Sequence, residues 1–284
     1  MITRNHGKLY IVSTSIGNLS DITYRAIETL KSVDLIAAED TRHTRELLNH
    51  FDIKTKTTSL NEHTDEKKID SLIKDLKEGK DIALVSDAGT PIISDPGAKL
   101  TRKVIANDIE LTAVPGACAA INALVMSGID AKAFTFIGFL PEDNKHRKEL
   151  LSKYRNETNT MIFYISSHNL KKDLKSLIET FGEERLASLS REMTKIHEEN
   201  VRDSLSYISK HFDNKDIKGE FVLVVEGLDK NILKESTIKD WLSISIDEHM
   251  KVYIDAGLDE KEAMKKVAKD RNIKKNDVYK LLKT

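Results

Sequence analysis

The residues with the clearest capacity for chemistry lie in one loop, Ser86-Asp-Ala-Gly-Thr-Pro-Ile-Ile-Ser-Asp-Pro-Gly97, between a predicted strand and a predicted helix. Ligands of a parallel sheet bind outside the carboxyl ends of its strands, which is where this loop begins. Gly89 allows the backbone to approach a ligand closely, and Asp87 and Asp95 can accept hydrogen bonds from hydroxyl or ammonium groups. The pattern favours a binding loop over the alternative, a stiff turn whose aspartate caps the next helix.

Two other loops follow predicted strands in the same way. Thr14-Ser-Ile-Gly-Asn-Leu19 follows the first strand, and Val114-Pro-Gly-Ala-Cys-Ala-Ala120 leads into a helix that begins with small residues. A glycine-containing loop after a first strand also suggests a dinucleotide site, but the chain has no G-x-G-x-x-G and no GK[ST] phosphate loop. The motifs that would best support a nicotinamide or nucleoside-triphosphate site are therefore missing from the sequence.

Charged and polar side chains crowd the end of another strand, in Ala37-Ala-Glu-Asp-Thr-Arg-His-Thr-Arg45. Arginine offers a bidentate donor fork to phosphate, so Arg42 and Arg45 are interpreted as contacts to phosphate and ribose. The alternative is a solvated helix face, where charged runs usually lie. His63 follows the next strand-like segment and joins the same predicted face, although a lone histidine is more often structural.

Short apolar runs alternate with helical patterns through the first 115 residues. Predicted helices include 65–78 and 98–107, and predicted strands span 8–14, 33–38, 82–86 and 111–114. Strands that alternate with helices of this length indicate crossover units and a mostly parallel sheet. Residues 1–115 are therefore predicted to form an α/β domain.

The pattern changes after Pro115-Gly116. Strand-like runs at 134–138, 160–165, 185–189 and 220–225 predict a second α/β sheet domain, residues 116–230. In residues 231–284 the apolar density falls, and helix-face spacing over 258–271 and 273–282 predicts a small helix-turn-helix appendage. From Gly257 onward nine Lys or Arg stand against five Asp or Glu, a net charge of +4. This basic end can serve contact with RNA or the ribosome; the alternative is an ordinary solvated helix pair.

Composition sets the broad class of the protein. The 284 residues are 39% hydrophobic with a formal net charge of −1, so the chain can bury two domain cores and lacks the bulk positive charge of many nucleic-acid binders. There is no run of about eighteen apolar residues and no basic-then-apolar start, so we expect a soluble, cytoplasmic protein. The single cysteine, Cys118, excludes an intrachain disulfide and a multi-thiolate zinc site, and no metal is expected.

Five motifs along the chain carry a family resemblance. They are Leu9-Tyr-Ile-Val-x-Thr-x-Ile-Gly-Asn-Leu19, Ala37-Ala-Glu-Asp-Thr-Arg-His-Thr44, Leu84-Val-Ser-Asp-Ala-Gly-Thr-Pro-x-Ile-Ser-Asp-Pro-Gly97, Arg191-Glu-x-Thr-Lys195 followed by His197-Glu198, and Lys218-Gly-Glu-Phe-Val-Leu223. In this order they resemble the ribosomal RNA small subunit methyltransferase I family over nearly the whole chain. Single loops are shared with the wider tetrapyrrole-methylase superfamily.

The resemblance implies a two-domain α/β methyltransferase of the tetrapyrrole-methylase-like, class III type, usually a homodimer. It implies S-adenosyl-L-methionine in a cleft between the domains, and a cytidine 2′-hydroxyl of small-subunit (16S) ribosomal RNA as the methyl acceptor. The loop Glu39–Arg45 would face the RNA through Arg42, His43 and Arg45, with His63 as a weaker candidate. The cofactor cleft would be lined by Ser15, Ile16, Gly17, Asp87, Ala88, Gly89, Thr90, Pro91, Ser94, Asp95, Pro115, Gly116, Ala117, Lys218 and Gly219.

The chain departs from the family's usual motifs at three places. Ser15 replaces the proline of Thr-Pro-Ile-Gly-Asn, and Ala117-Cys118 replaces the end of Pro-Gly-Pro-Ser. Tyr164-Ile-Ser-Ser-His-Asn169 stands where Tyr-Glu-Ser-Pro-His-Arg is usual. The Asp-Ala-Gly-Thr-Pro loop is retained.

The expected chemistry needs an aligned acceptor. Methyl transfer from a sulfonium is an in-line displacement, so the protein mainly orients the nucleophile and excludes water, and a poorly nucleophilic ribose hydroxyl benefits from a nearby base. One hypothesis pairs Arg42 with phosphate and Asp40 with the 2′-hydroxyl, whereas the alternative is that Asp40 caps the following helix. The sequence leaves the catalytic group open among the acids Glu39, Asp40, Glu198 and Glu220, with Lys195 or Lys218 as cations that would lower the pKa of the hydroxyl.

Three other functions are compatible with parts of the sequence. A small-molecule methylase of the same superfamily has no evident use for the basic appendage or the Glu39–Arg45 cluster. A non-catalytic RNA-binding module would not bind S-adenosylmethionine tightly. A dinucleotide oxidoreductase lacks its glycine fingerprint.

Overall fold

The computed structural model describes residues 6–213 and 217–282. Contacts between residues divide the chain into two compact units, one made of Met1–Lys153 and Thr160–Glu226 and the other of Tyr154–Asn159 and Gly227–Thr284. The first unit contains two five-stranded sheets. The predicted division into residues 1–115, 116–230 and 231–284 stays a prediction.

The sequence predicts a mostly parallel sheet, and the first sheet is entirely parallel, with the strand order β3-β2-β4-β1-β5. Its strands are β1 (Lys8–Val12), β2 (Leu35–Ala38), β3 (Thr57–Ser59), β4 (Ile82–Val85) and β5 (Glu110–Val114), and its helices are α1 (Tyr24–Ser32), α2 (Thr41–His50), α3 (Glu66–Lys77) and α4 (Ala98–Ala106).

Helices cover both faces of this sheet, which explains why its central strand is a continuous apolar run. All four residues of β4 are buried. On one face Leu9 and Leu84 pack with residues of α3 and α4, and on the other Ala83 and Val85 pack with residues of α1 and α2. Because both faces are filled, polar chemistry is confined to the loops at the strand ends.

The second sheet is mixed, with the order β6-β7-β10-β8-β9. Only β6 and β7 pair in parallel, and the other three pairs are antiparallel. The four predicted strands are confirmed, whereas β9 was not predicted because its residues are largely polar and only partly buried. The elements are α5 (Ala119–Ser127), β6 (Phe134–Phe139), α6 (Asn144–Lys153), β7 (Thr160–Ser166), α7 (Leu170–Phe181), β8 (Leu186–Arg191), β9 (Glu199–Ser204), α8 (Leu205–Phe212) and β10 (Glu220–Val225).

Helix α5 links the first sheet to the second. Its Ala123 and Leu124 belong to one apolar cluster with Val222 and Val224 of β10. Ile16, from the loop after β1, is buried in the same cluster. The loop after β1, one of the three predicted binding loops, is therefore held in place by apolar packing as well as by its own strand.

The second unit adds four helices, α9 (Lys230–Leu242), α10 (Ile246–Asp255), α11 (Glu260–Asp270) and α12 (Lys275–Leu281). The two helices that the sequence predicts correspond to α11 and α12. Helix α10 was not predicted, although Ser245 and Glu248 form a capping box that marks its start. In the part of the chain that the structure describes, no helix has both the length and the apolar character needed to cross a membrane.

A short segment between α6 and β7 also belongs to this second unit. The Leu228 N–H donates to the Glu157 carbonyl at 2.7 Å. A Cβ atom at Gly227 would lie 2.2 Å from the Thr158 carbonyl oxygen, so only glycine permits this approach. The chain thus enters the second unit twice.

A buried polar network lies at the centre of the helical unit. The ring of His249, fully buried, stacks on Trp241 with centroids 3.8 Å apart. The Arg271 guanidinium donates to His249 Nδ1 at 3.1 Å and to the carbonyls of Ile244 and Ser245 at 2.7 and 2.8 Å. Burial lowers the pKa of His249, and the Arg271 charge lowers it further. The imidazole is therefore neutral at neutral pH, with Nδ1 acting as an acceptor.

We expect the helical unit to lose stability as the pH falls below about 6.5, the ordinary pKa of histidine. Because the pKa of His249 is lower in the folded state, the unfolded state binds the proton first, and folding becomes less favourable on acidification. Trp241 is the single tryptophan of the chain, so urea unfolding followed by its fluorescence at pH 7.5 and 5.5 reports this unit alone.

The control is His249→Phe, which keeps a ring against Trp241 but cannot titrate. Its urea midpoint should be lower at both pH values and should change less between them. An equal pH dependence in both proteins would contradict the assignment to His249.

Candidate active site

The loop after β4 has an unusual backbone. Gly89, Ile92, Ser94 and Gly97 have φ values of +77°, +77°, +66° and +121°. Positive φ is rare for a β-branched residue such as Ile92 and costs free energy that the surrounding structure must supply. Such concentrated strain is typical of a functional loop.

Hydrogen bonds tie this loop to the loops after β1 and β5. Gly89 accepts from the Thr14 N–H at 2.8 Å and donates to the Ser15 carbonyl at 3.3 Å. The Thr90 hydroxyl donates to the Ala117 carbonyl at 3.0 Å. The three loops that the sequence singles out therefore meet at one edge of the parallel sheet.

A cavity of about 450 Å³, here called the central cavity, opens beside the Gly89 loop. Its second wall is formed by residues of β6, β7 and β10, among them Phe139, Tyr164 and Phe221. The sequence did not predict that these aromatic residues line a cavity. An apolar residue in a strand that lines a cavity cannot be told from a core residue by sequence alone. The lining includes ten of the predicted site residues, namely Ile16, Glu39, Asp87, Ala88, Gly89, Thr90, Ser94, Asp95, Gly219 and Glu220.

A second cavity of about 560 Å³, the α2 groove, lies between the loop after β1 and helix α2. It is lined by Ser15 and Gly17 from the loop and by His43 from the helix, with Lys195 beside them. Ile16, Asp87, Ala88 and Glu220 line both cavities, so the two adjoin along these residues.

The other predicted site residues are outside both linings. For Pro91, Pro115, Gly116, Ala117 and Lys218 the cofactor role stays a prediction. The structure gives one of them a packing reason, since a Cβ atom at Gly116 would lie 2.8 Å from Ser13 Cβ. Arg45 and His63 are exposed outside both cavities, and their predicted RNA contacts also stay predictions.

Asp40 caps helix α2 and binds Arg42. Its carboxylate accepts from the Arg42 backbone N–H at 2.8 Å and from the Arg42 guanidinium at 3.1 and 2.7 Å. These hydrogen bonds lower the pKa of Asp40 to about 2. The structure thus shows the capping alternative, and a role of Asp40 toward a 2′-hydroxyl stays a prediction.

Lys195 is clamped between two carboxylates, those of Glu192 at 2.9 Å and Glu220 at 3.0 Å. Burial alone would lower the pKa of Lys195, but these hydrogen bonds outweigh it and raise the pKa. A Cβ atom at Gly17 would lie 2.5 Å from Lys195 Cγ, and one at Gly219 would lie 2.5 Å from Glu192 Cδ. Both glycines are therefore required by the clamp. Glu192 stands in the quoted Arg191-Glu-x-Thr-Lys195 motif, but the sequence assigned it no role.

Glu198, the remaining acidic candidate, stabilises the same turn. Its carboxylate accepts from the Thr194 N–H at 2.8 Å. Lys218 contributes through its backbone, since its carbonyl accepts from Arg191 Nε at 2.9 Å. Of the six candidate catalytic groups, Lys195 and Glu220 are the pair that the structure joins directly and places at the α2 groove.

Comparison with known proteins identifies the family. The sequence profile of the tetrapyrrole (corrin/porphyrin) methylases matches residues 8–208. A Halalkalibacterium halodurans protein named ribosomal RNA small subunit methyltransferase I is 47% identical over 96% of this chain and 93% of its own length. The proteins of that name from Bacillus subtilis and Escherichia coli O157:H7 are 44% and 42% identical, over 96% and 97% of this chain and 93% and 94% of their lengths. The chain belongs to the ribosomal RNA small subunit methyltransferase I family.

Solved structures show the same fold at low sequence identity. Diphthine synthase aligns with a TM-score of 0.61 at 14% identity, over 78% of this chain and 89% of that chain. The cobalt precorrin-4 methyltransferase CbiF aligns with a TM-score of 0.59 at 18% identity, over 77% of this chain and 94% of that chain. The predicted tetrapyrrole-methylase-like fold is confirmed, and membership of the small-subunit methyltransferase I family makes the chain a methyltransferase.

The departures from this family's usual motifs lie at the site itself. Ser15 is buried and lines the α2 groove. Cys118 and Ile165 line the central cavity, where the usual family residues would be a serine and a glutamate. Cys118 also adds to the raised pKa of Tyr164, about 12, which is caused mainly by burial.

Three carboxylates gather at the mouth of the central cavity. The Asp87 side chain accepts from the Asp40 N–H at 3.0 Å, and the Asp87 N–H lies 3.4 Å from the Glu39 carboxylate. Burial, followed by the negative charges of Glu39 and Asp87, raises the pKa of Asp95 to about 6. Burial likewise raises the pKa of Glu39. The cavity mouth therefore favours a cationic ligand.

We expect Glu39→Gln to lower the pKa of Asp95 below about 6, because it removes the largest like-charge contribution to that shift. Carbon-13 NMR titration of the Asp95 carboxyl measures the change. Glu46→Gln, on α2 and outside the groups that act on Asp95, is the matched control and should leave the titration unchanged. The same Asp95 pKa in all three proteins would contradict the proposed charge coupling.

Proposed function

We propose that this protein transfers a methyl group from S-adenosyl-L-methionine to the 2′-hydroxyl of a cytidine ribose in 16S ribosomal RNA. The observation that carries the proposal is the pair of adjoining cavities, one with an acidic mouth and the other with a clamped lysine, in a chain related to enzymes named for the small-subunit RNA. The 2′-hydroxyl of cytidine as acceptor comes from the family resemblance. The proposed localisation is the cytoplasm, and the proposed assembly is a homodimer.

The residues of the central cavity fit the cofactor. A cavity of about 450 Å³ falls within the range of small-molecule sites. Gly89 is buried in the cavity lining, and a Cβ atom there would lie 3.1 Å from Ile16 Cγ2, so a larger residue would press on another residue of the lining. The carboxylates of Asp87 and Asp95 complement a sulfonium and an ammonium group. When bound, S-adenosylmethionine supplies an electrophilic methyl on a positively charged sulfur.

The border between the two cavities is where the acceptor would be oriented. Glu220 and Asp87 are the carboxylates that line both cavities. We assign Glu220 to accept a hydrogen bond from the acceptor hydroxyl, with the Lys195 ammonium holding the Glu220 carboxylate in position. Ile16 and Ala88 supply the apolar part of the border and exclude water.

The helical unit also offers a candidate binding surface for the proposed RNA partner. A groove formed by residues of α9, α11 and the start of α12 has a volume of about 910 Å³ and is lined by four lysines, Lys230, Lys234, Lys269 and Lys274. Two acids, Asp270 and Asp277, also line it, and Asp270 is already bonded to the Tyr253 hydroxyl. Two of these lysines, Lys269 and Lys274, belong to the basic end of the sequence, and the other two come from α9.

The test of the proposed function is methyl transfer to small ribosomal subunits that lack the modification. With labelled cofactor, we expect the label in 16S RNA at one cytidine, and resistance of the following phosphodiester to alkali, because a 2′-O-methyl group blocks that cleavage. Label on a base would contradict the proposed acceptor. Label on a tetrapyrrole and none on RNA would contradict the function.

The same assay includes Gly89→Val and a matched control, Gly128→Val. The two glycines have φ values of +77° and +75°, so both valines carry the same backbone strain, but no atom lies within 4 Å of a Cβ at Gly128. We expect cofactor binding on the order of 10- to 100-fold weaker for Gly89→Val, measured by calorimetry, because the new side chain would displace Ile16, which lines the cavity. Equal affinity in the two variants would place the cofactor elsewhere.

A separate prediction concerns the lysine groove. Replacing Lys230, Lys234, Lys269 and Lys274 with glutamine should weaken binding to small-subunit RNA and reduce the slope of log K against log salt by about 3, since each phosphate contact contributes about 0.7 to 0.9. Fluorescence anisotropy over a series of salt concentrations gives the slope.

The matched control removes the same number of charges from exposed positions outside the groove, at Lys239, Lys251, Lys261 and Lys266. This variant should retain most of the wild-type slope. An equal loss of slope in both variants would mean that RNA binding depends on the total charge of the helical unit and not on the groove.

A further inference from the structure

The turn after β8 holds two non-glycine residues in the left-handed region of backbone conformation. Glu192 and Thr194 have φ values of +49° and +65°. This conformation is uncommon for residues other than glycine and costs free energy, which the surrounding structure must supply. The Lys195 N–H closes the turn by donating to the Glu192 carbonyl at 3.0 Å. A glutamate at a position that glycine adopts more easily indicates that its side chain is required there.

The Glu192 side chain completes the hydrogen bonding at the end of the second sheet. The pairing of β8 with β10 ends at Arg191 and Phe221. One residue further on, the Glu192 N–H donates to the Glu220 carbonyl at 3.0 Å. The Glu192 carbonyl is occupied by Lys195, and the Glu220 N–H donates to Glu192 Oε1, also at 3.0 Å. The carboxylate therefore fixes the backbone of Glu220 where β10 begins.

The same carboxylate oxygen also holds the side chain of Lys195. Glu192 Oε1 accepts from Lys195 Nζ at 2.9 Å, and Lys195 Nζ also donates to Glu220 Oε2 at 3.0 Å. The exposed fraction of the side chain is 21% for Glu192, 32% for Lys195 and 80% for Glu220. An exposed ion pair restrains its two side chains only weakly, so the outer carboxylate depends on the inner one for its position.

Glu192 is charged at neutral pH and lies behind the two cavities. Burial raises the pKa of its carboxyl, but the hydrogen bonds from Lys195 and from the Glu220 N–H outweigh this effect, and the pKa is lowered. Glu192 is outside the linings of both cavities, whereas Lys195 lines the α2 groove and Glu220 lines both cavities. We therefore expect Glu192 to act on a bound substrate through these two neighbours.

We propose that Glu192 is a positioning residue for methyl transfer, whose carboxylate holds both the backbone and the side chain of Glu220. It holds the backbone directly and the side chain through Lys195. This inference rests on the proposed function, in which Glu220 accepts from the acceptor hydroxyl, and adds the group that keeps Glu220 in that orientation. In-line attack requires an aligned hydroxyl, so a small displacement of Glu220 slows the transfer.

The proposal is tested with Glu192→Ala and Glu192→Gln in the small-subunit assay. Alanine keeps the strained backbone but removes the carboxylate, so we expect kcat and kcat/KM to fall together by about 10- to 100-fold, as for a misplaced reacting group. The KM for small subunits and the affinity for S-adenosylmethionine should stay unchanged. Glutamine keeps an acceptor oxygen at the same place and should retain kcat within about 5-fold of wild type, because only the charge-assisted part of the hydrogen bonds is lost.

A second measurement does not depend on activity. Burial lowers the pKa of Lys195, but its hydrogen bonds to Glu192 and Glu220 outweigh burial and raise the pKa. Glu192→Gln removes one of these two charges, so carbon-13 NMR titration of Lys195 Cε should give a lower pKa than in the wild-type protein. The matched control is Glu184→Gln, at an exposed position before β8 and outside both cavity linings, which should change neither kcat nor the pKa of Lys195.

Several outcomes would overturn the proposal. A wild-type kcat for Glu192→Ala would show that Glu220 does not depend on Glu192. A raised KM or weaker cofactor binding with an unchanged kcat would assign Glu192 to binding, and a loss as large for glutamine as for alanine would show that charge and not position is required. If the wild-type protein transfers no methyl group to small subunits, the proposed function itself fails. An unchanged pKa of Lys195 in Glu192→Gln would instead contradict the contact between the two side chains, whatever the substrate.

Discussion

Gly89 exchanges two backbone hydrogen bonds with the loop after β1, accepting from Thr14 and donating to Ser15. This pairing requires the positive φ of Gly89 and brings the ends of two strands into direct contact. Ile16, between the pairing partners and Gly17, is drawn into the apolar cluster under α5. The paired loops thus form a partition, with the central cavity on one side and the α2 groove on the other.

The charges around this partition are distributed unequally. On the side of the central cavity, the charge of Asp87 contributes to the raised pKa of Glu39, and the charges of Glu39 and Asp87 contribute to the raised pKa of Asp95, a repulsion that a cation would relieve. At the border with the groove, the ammonium of Lys195 is neutralised by Glu192 and Glu220 and is therefore available mainly as an oriented donor. The acidic side suits a positively charged methyl donor, and the border suits an acceptor oxygen.

The sequence predicted a mostly parallel sheet from periodicity, and the common edge of parallel strands placed the Glu39–Arg45 loop beside the loop after β4. That the loops after β1, β4 and β5 share one cleft was implied by the family resemblance. It did not predict the second wall of the central cavity, since Phe139 and Tyr164 have the character of core residues within strands. It also could not show that Ser15 lines only the α2 groove whereas its neighbour Ile16 lines both cavities. The pairing of Asp40 with Arg42 depends on side-chain conformation at the start of α2, which spacing alone leaves open.

The residues 154–159 give the helical unit a second covalent attachment to the rest of the chain. Gly227 lies so close to Thr158 that no larger residue fits, and Leu228 bonds to Glu157. A deletion that begins at Gly227 would therefore disturb the connection between α6 and β7 as well, because it removes the Leu228 N–H that donates to the Glu157 carbonyl and the backbone that packs on Thr158.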